Sequence, residues 1–272
     1  MNDYLSLLEE QQKKIFHLEK TLDKDHPDLA MAYNMLVTVY LAMDNVSLAF
    51  EYQQKAYAIQ QKSLEPDSPE FAITYGNLSA IYKGMDNLPL SLEYEQKAVV
   101  IYEKVLGKND PNVALGYNGL ALIYKAMKDL PMALMYQQKA LAIQEKMLDK
   151  NDSNLAISYE IVSNIYKAMG NLPMALKYQE KVVAINERTL GKTHPELAAS
   201  YTVLSNIYRA MNNLVMAFKC QQKILGIQEK TAAKDSPSLM ITYSSISELC
   251  RDMRNLPLAL EFQEKAIEIF EK

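Results

Sequence analysis

One spacing governs this sequence: landmarks recur every 42 residues. Pro27, Pro69, Pro111, Pro195 and Pro237 keep that step, with Ser153 standing where a further proline would fall. Tyr33, Tyr75, Tyr117, Tyr159, Tyr201 and Tyr243 form a second row. Tyr40, Tyr82, Tyr124, Tyr166 and Tyr208 form a third, which Cys250 closes. Met43, Met85, Met127, Met169, Met211 and Met253 form a fourth. Such a period marks a row of supersecondary units, none of which buries its apolar face alone, so that stacking must supply the core. Six units leave 20 residues at the start, and these are in phase, because Gln11-Gln12-Lys13 matches Gln53-Gln54-Lys55. The expected organisation is a single repeat domain over 1–272. Residues 1–22 form a leading helix, and units follow at 23–64, 65–106, 107–148, 149–190, 191–232 and 233–272.

Each unit reads as two helices. Asp67-Ser68-Pro69-Glu70 is a start signal: a capping hydroxyl, a proline in the first turn, and an acid at the positive helix end. Phe71, Tyr75, Leu78, Tyr82 and Met85 then fall on one helical face. Asn87-Leu88-Pro89 stops that helix and starts a second, where proline is tolerated only near the beginning. Leu92, Tyr94, Ala98, Ile101 and Leu106 supply its apolar positions, and Gly107 can close it with a positive φ. The period allows about 16 residues per helix, each about 24 Å long.

Composition narrows the function classes. Glycine is only 8 of 272 residues, well under the usual ~7%, which argues against a turn-rich sandwich or barrel. No apolar run is long enough for a membrane span. The opening MNDYLSLLEEQQKK places charges where a signal peptide needs an apolar core, so a cytoplasmic setting is expected. The net charge of −4 argues against general nucleic-acid binding. Cys220 and Cys250 replace tyrosines of the pattern and read as buried substitutes. His17, His26 and His194 have no zinc spacing. No phosphate loop, nucleophile–histidine pair or glycine-rich turn is present. The expectation is therefore a non-enzyme with no cofactor and no bound metal.

Leu78-Ser79, Tyr82, Ser91 and Ala98 set the register of a known pattern: large then small, aromatic, small, small. Leu120-Ala121, Tyr124, Ala133 and Ala140 repeat it, as do Leu204-Ser205, Tyr208, Ala217 and Ile224. The chain resembles the tetratricopeptide family. Its 42-residue length and the phrases EKVLGKNDPNVA (103–114) and ERTLGKTHPELA (187–198) resemble the long repeats of kinesin light chains. The resemblance implies an all-α fold, a right-handed α-solenoid of helix-turn-helix repeats with a concave groove lined by the first helices. Two departures stand out. The second asparagine of the family's Asn-Asn-Leu survives only as Asn77. A usually apolar place in the second helix holds Gln53, Glu95, Gln137, Gln179, Gln221 and Gln263, either as a hydrogen-bonded row or as exposed side chains.

Positions alike in every unit are explained by packing, and positions that differ are free to specialise. In the first helix a stripe beside the core face runs Met31, Asn34, Thr38, Leu41, and recurs as Ile73, Gly76, Ala80, Lys83 and as Leu115, Asn118, Leu122, Lys125. It continues as Ile157, Glu160, Asn164, Lys167, then Ala199, Thr202, Asn206, Arg209, then Ile241, Ser244, Glu248, Arg251. Small neighbours (Ala42, Gly84, Ala126, Ala168, Ala210) leave this face open. Lys83, Lys125, Lys167, Arg209 and Arg251 would make a basic ladder. Two compatible readings exist: they favour the negative helix end, or they attract an acidic ligand. Asn34, Asn77, Asn118, Asn164 and Asn206 are the candidates for bonding a ligand backbone. The Met43 row reads as core filler. Glu103-Lys104, Glu145-Lys146, Glu187-Arg188 and Glu229-Lys230 read as a solvated face.

The functional expectation is a protein-interaction scaffold that binds an extended peptide or partner helix, acidic in character, with no nucleic-acid or membrane partner. The alternative is a regulatory or self-associating array of a larger signalling or ATPase protein. A start in a second-type helix and an end at Glu271-Lys272 without a polar cap suit a fragment. A monomer is expected, with end-to-end association through residues such as Ile267 and Phe270 as the competing state.

Overall fold

The computed structural model describes residues 2–65, 67–233 and 235–271, and among these every regular element is helical. The leading helix α1 spans Asn2–Thr21. The first helices of the repeats are α2 (Pro27–Ala42), α4 (Pro69–Gly84), α6 (Pro111–Ala126), α8 (Ser153–Ala168), α10 (Pro195–Ala210) and α12 (Pro237–Asp252). The second helices are α3 (Val46–Ser63), α5 (Leu88–Leu106), α7 (Leu130–Met147), α9 (Leu172–Thr189), α11 (Leu214–Thr231) and α13 (Leu256–Phe270).

Local chemistry explains both kinds of boundary. Five of the six proline or serine starts are capped by the preceding side chain, which satisfies an otherwise orphaned helix donor. His26 Nδ1 accepts from the Asp28 amide at 3.2 Å, and His194 Nδ1 does the same for Glu196 at 3.2 Å. Asp110 and Asp152 accept from Asn112 and Asn154 at 2.8 Å each, and Ser236 from Ser238 at 3.3 Å. Ser68 makes no such bond.

The turn inside each repeat uses one residue twice. The Asn45 amide donates back to Tyr40 O at 2.8 Å, closing α2, while Asn45 Oδ1 accepts from the Leu48 amide at 3.2 Å, opening α3. The residue before it takes a positive φ, as this helix-ending motif requires: 58° at Asp44, 58° at Asp86, 63° at Lys128, 75° at Gly170, 58° at Asn212 and 62° at Arg254. Gly107 ends α5 with φ 85°, as its type predicts. The methionine row sits at this turn, at the C-caps of the first helices. Met85, Met127, Met169 and Met211 are 37–43% exposed, so they are not core filler.

The contacts divide the chain into two compact units, 1–144 and 145–272. In the first, each helix from α1 to α6 packs on the next, and α2 also touches α4. Its interior holds Leu29, Leu36, Tyr40, Ala56 and Ile81, then Phe71, Ala98 and Ile101, then Val113, Leu120, Ala140 and Ile143. In the second unit, α8 to α13 pack consecutively in the same way, around Leu197, Leu204, Ile224 and Leu249, with Ile246, Cys250 and Ala259 beyond. Each unit is thus a stack of helix pairs. Fully buried Ala49, Ser91, Ala133, Ala175 and Ala217 let paired helices approach closely. Ser163, Ser205 and Ser247 add a hydroxyl bond to the carbonyls of Ala175, Ala217 and Ala259 at 2.7–3.1 Å, which offsets the cost of burying them.

Aromatic rings join the pair. Tyr40 stacks on Tyr52 with centroids 5.6 Å apart, Tyr82 on Tyr94 at 5.5 Å, Tyr124 on Tyr136 at 5.5 Å and Tyr166 on Tyr178 at 5.8 Å. Cys220 and Cys250 are buried and free, as their places in the tyrosine rows predict. No helix among the described residues is long and apolar enough to cross a membrane.

Candidate functional site

The glutamine row resolves into a buried polar layer. In unit 1, Gln53 Nε2 donates to Asn34 Oδ1 at 2.8 Å, Asn34 Nδ2 donates to Thr74 Oγ1 at 3.1 Å, and Thr74 Oγ1 donates to Gln60 Oε1 at 2.6 Å. All four residues are buried. The chain of bonds runs from α3 through α2 to α4 and so ties one repeat to the next. In unit 2, Gln179 Nε2 donates to the Ser200 carbonyl at 3.1 Å and Asn186 Nδ2 to Ser200 Oγ at 2.8 Å. Gln137 reaches Asn118 Oδ1 at 3.0 Å. Gln263 is the exposed exception.

Glu95 is the one acid in that row. Burial raises its carboxyl pKa above the usual range, against the lowering influence of a Ser79 hydrogen bond and the Lys83 ammonium. It packs against the backbone of Gly119, where a Cβ would lie 2.3 Å from Glu95 Oε1.

These contacts sort the five asparagines. Asn34 is buried and its amide is committed to Gln53 and Thr74. Asn77 is buried too, with Nδ2 unpartnered among the described residues. Asn118 and Asn164 are half-buried, and Asn206 is exposed. The cations lie farther out. Lys83, Lys125, Lys167 and Arg251 are exposed. Arg209 is half-buried and reaches Glu248 at 3.3 Å and Asp252 at 4.0 Å, crossing from α10 to α12. This bridge brings the stripes of two successive first helices side by side within unit 2.

The stripe also has an apolar component. Met31, Ile73, Leu115, Ile157 and Ile241 occupy one register at 48–64% exposure, with Met35 and Leu122 exposed beside them. The signal was present in the sequence: these residues are apolar yet sit off the core face. In unit 1, Met31, Met35, Thr38 and Ile73 line a cavity of about 350 Å³ between α2 and α4. Asp28 and Glu70 also line that cavity, and the basic side chains Lys83, Lys125 and Lys167 lie in the last turns of their helices, at the other end of the stripe. Among the described residues, no group of three or more His, Cys, Asp or Glu is placed to hold a metal.

The glutamates expected to be solvated are also engaged. Tyr159 donates to Glu145 at 2.7 Å, and Tyr117 and Tyr201 donate to Glu103 and Glu187.

A family model described as "Tetratricopeptide repeat" matches residues 28–103, 70–146, 154–230 and 207–272. No curated protein matches the sequence. Among solved structures, the chain is similar to the nearly identical TPR-like repeats of a protein described as a kinesin light chain from Podosopora anserina. Identity is 27% and the TM-score 0.67, over 76% of this chain and 98% of that one. It is also similar to BtubC (BKLC) from P. vanneervenii, at 18% identity and TM-score 0.66, over 84% of this chain and 89% of the other. A signal transduction ATPase with a tetratricopeptide repeat sensor, from Pyrococcus horikoshii, matches at 20% identity and TM-score 0.72. That match covers 97% of this chain and 40% of the ATPase, and it speaks to fold alone.

Proposed function

The chain belongs to the tetratricopeptide repeat family, and we propose that it holds an extended peptide or partner helix against the exposed stripe of its first helices. Arrays of this family are generally non-catalytic scaffolds for protein partners, and a cytoplasmic setting suits that role. The observation that carries the reading is the exposed apolar register Met31, Ile73, Leu115, Ile157 and Ile241. A folded chain gains from burying such side chains, by about 1.5–3 kcal/mol for each one fully covered, so their repeated exposure supports the reading of this face as one that a partner covers.

The basic ends set the preferred chemistry. Lys125, Lys167 and Arg251 make no ion pair among the described residues, and each lies in the last turn of a first helix, about 15 Å along the same stripe from the apolar register. A ligand with apolar anchors and acidic flanks complements this arrangement. Of the asparagines, Asn118, Asn164 and Asn206 are the ones with an amide near solvent. Asn34 keeps a structural role, and Asn77 offers only an inward-facing amide.

Pull-down with the whole chain identifies the partner, and fluorescence anisotropy then measures it. Acidic peptides are expected to bind more tightly than basic ones, with affinity falling as salt rises. Charge reversal at Lys125, Lys167 and Arg209 should weaken binding of the true partner. Unchanged binding removes the ladder from the recognition mechanism.

A second reading is self-association. Leu256, Leu260, Ile267 and Phe270 expose one apolar side of α13, Phe270 by 79%. Light scattering over a concentration series separates the two readings, since a mass independent of concentration rejects self-association.

A further inference from the structure

Five of the six repeats place an aromatic ring at one position of the second helix: Tyr52, Tyr94, Tyr136, Tyr178 and Phe262. Two tyrosines of the paired first helix flank Tyr52, Tyr94, Tyr136 and Tyr178, whereas Phe262 has Tyr243 at 6.0 Å and Cys250 in the other place. Tyr178 has its centroid 6.0 Å from Tyr159 and 5.8 Å from Tyr166. A lysine covers each ring: Lys55, Lys97, Lys139, Lys181 and Lys265 lie 4.5–5.4 Å from the five centroids. In the fifth repeat the position holds Cys220, and the surroundings remain. Tyr201 and Tyr208 stand where Tyr159 and Tyr166 stand, and Lys223 stands where Lys181 stands, with no ring beneath it.

The space is not filled by other side chains. A cavity of about 290 Å³ lies there, lined by Tyr201, Leu204, Tyr208, Met216, Cys220 and Lys223 among others. Its walls are fixed. The Tyr208 hydroxyl donates to Glu180 at 2.9 Å and the Tyr201 hydroxyl to Glu187. Burial pushes the Cys220 thiol up to about 11, so it faces the space as a neutral, polarisable group. The lining is mostly apolar, and exposed Lys219 and Lys223 mark its mouth. A cavity of about 150 Å³ already suffices for benzene, so this one has room for a substituted ring.

We propose that the gap at Cys220 is a binding site for an aryl group from outside the chain, a phenol or phenyl ring that takes the place of the missing tyrosine. The ring stacks against Tyr208, contacts the Cys220 sulfur and lies under the Lys223 ammonium. The chain carries its own template for the occupant, in the rings that fill the same space in the other repeats. This site is separate from the first-helix stripe and does not depend on the function proposed for it.

The test titrates 4-methylphenol, the tyrosine side chain itself, into the full chain and follows it by calorimetry and by the tyrosine NMR signals. Saturable binding is expected with a Kd of about 1 mM or tighter, at one equivalent, with the shifts centred on Tyr201 and Tyr208. The same-sized 4-methylcyclohexanol, which lacks a ring face, should bind at least about tenfold more weakly. Cys220→Tyr should abolish binding with the helical circular dichroism unchanged. If that variant does not fold, Tyr178→Cys supplies the converse test, since a second gap should add a second bound equivalent. N-acetyl-tyrosinamide binding as well as 4-methylphenol identifies a partner's side chain as the source of the ring. Its exclusion identifies a free small aromatic. No saturation by about 10 mM overturns the proposal. So does equal binding of the cyclohexanol, binding that survives Cys220→Tyr, or a Tyr178→Cys chain that gains no second equivalent.

Discussion

Tyr33 donates a hydrogen bond from its hydroxyl to Glu19 Oε1 at 2.7 Å, joining α2 to the helix before it. The same pair recurs at a 14-residue separation as Tyr117–Glu103, Tyr159–Glu145 and Tyr201–Glu187. Each bond therefore crosses from one repeat to the next. Tyr33→Phe keeps the ring and leaves Glu19 exposed to water, so it should cost about 1 kcal/mol in denaturant titrations. Tyr33→Ala removes a buried ring as well and should cost about 3–5 kcal/mol.

Tyr208, whose hydroxyl donates to Glu180 at 2.9 Å, is expected to weaken the fold at alkaline pH. Burial first, and then the Glu180 hydrogen bond, push Tyr208 up to about 12. A phenol whose folded pKa is raised contributes stability that is whole below the unfolded value of ~10 and is lost as pH climbs through the folded one. Denaturation midpoints should hold to about pH 10 and then fall toward pH 12. Tyrosinate absorbance should lag behind that of free tyrosine.

Glu95 stands where four repeats bury a glutamine, and burial raises its pKa. The sign is again that of a raised acid: the carboxyl is best tolerated when protonated, and ionisation works against the fold as pH rises through its folded pKa. Glu95→Gln should therefore raise Tm at pH 8 by on the order of 2 °C, with the gain vanishing toward pH 4. A Tm lower than that of the wild type at pH 8 would mean that the Lys83 and Ser79 contacts outweigh the burial cost.

Lys128 holds φ 63° in the turn between α6 and α7. A side chain there pays a left-handed penalty of ~1–2 kcal/mol that glycine avoids, less the greater chain entropy of glycine. Lys128→Gly should stabilise by up to about 1 kcal/mol, whereas Gly170→Ala at the equivalent turn should destabilise by a similar amount. Thermal melts of the two variants give the comparison.

Lys125 is exposed and without an ion partner among the described residues. Lys125→Glu should leave stability within about 0.5 kcal/mol while lowering affinity for an acidic peptide. Arg209→Glu sets a repulsion against Glu248 and Asp252 and should cost slightly more stability, still under about 1 kcal/mol at these partly exposed positions.

The linear order of residues was enough for the helix pair, its caps and its stacking. A 42-residue period, prolines after capping side chains and an Asn or Asp at each inner turn are local signals, and local signals need no knowledge of neighbours. It was enough, too, for the burial of Cys220 and Cys250, since each stands in a row of tyrosines that pack between the two helices of a repeat. Periodicity assigns a residue to a row, but it does not say what meets that row across a helix interface. Only the packed structure decided that Gln53, Gln137 and Gln179 are buried partners of Asn34, Asn118 and Ser200, and that Met85, Met127, Met169 and Met211 cap helices at the surface while Met253 packs on the core. Only packing, likewise, showed Glu103 and Glu145 receiving tyrosine hydroxyls, and Cys220 leaving a ring-sized space unfilled. Those outcomes depend on the reach of side chains between helices far apart in the chain, a distance that no spacing along the chain encodes.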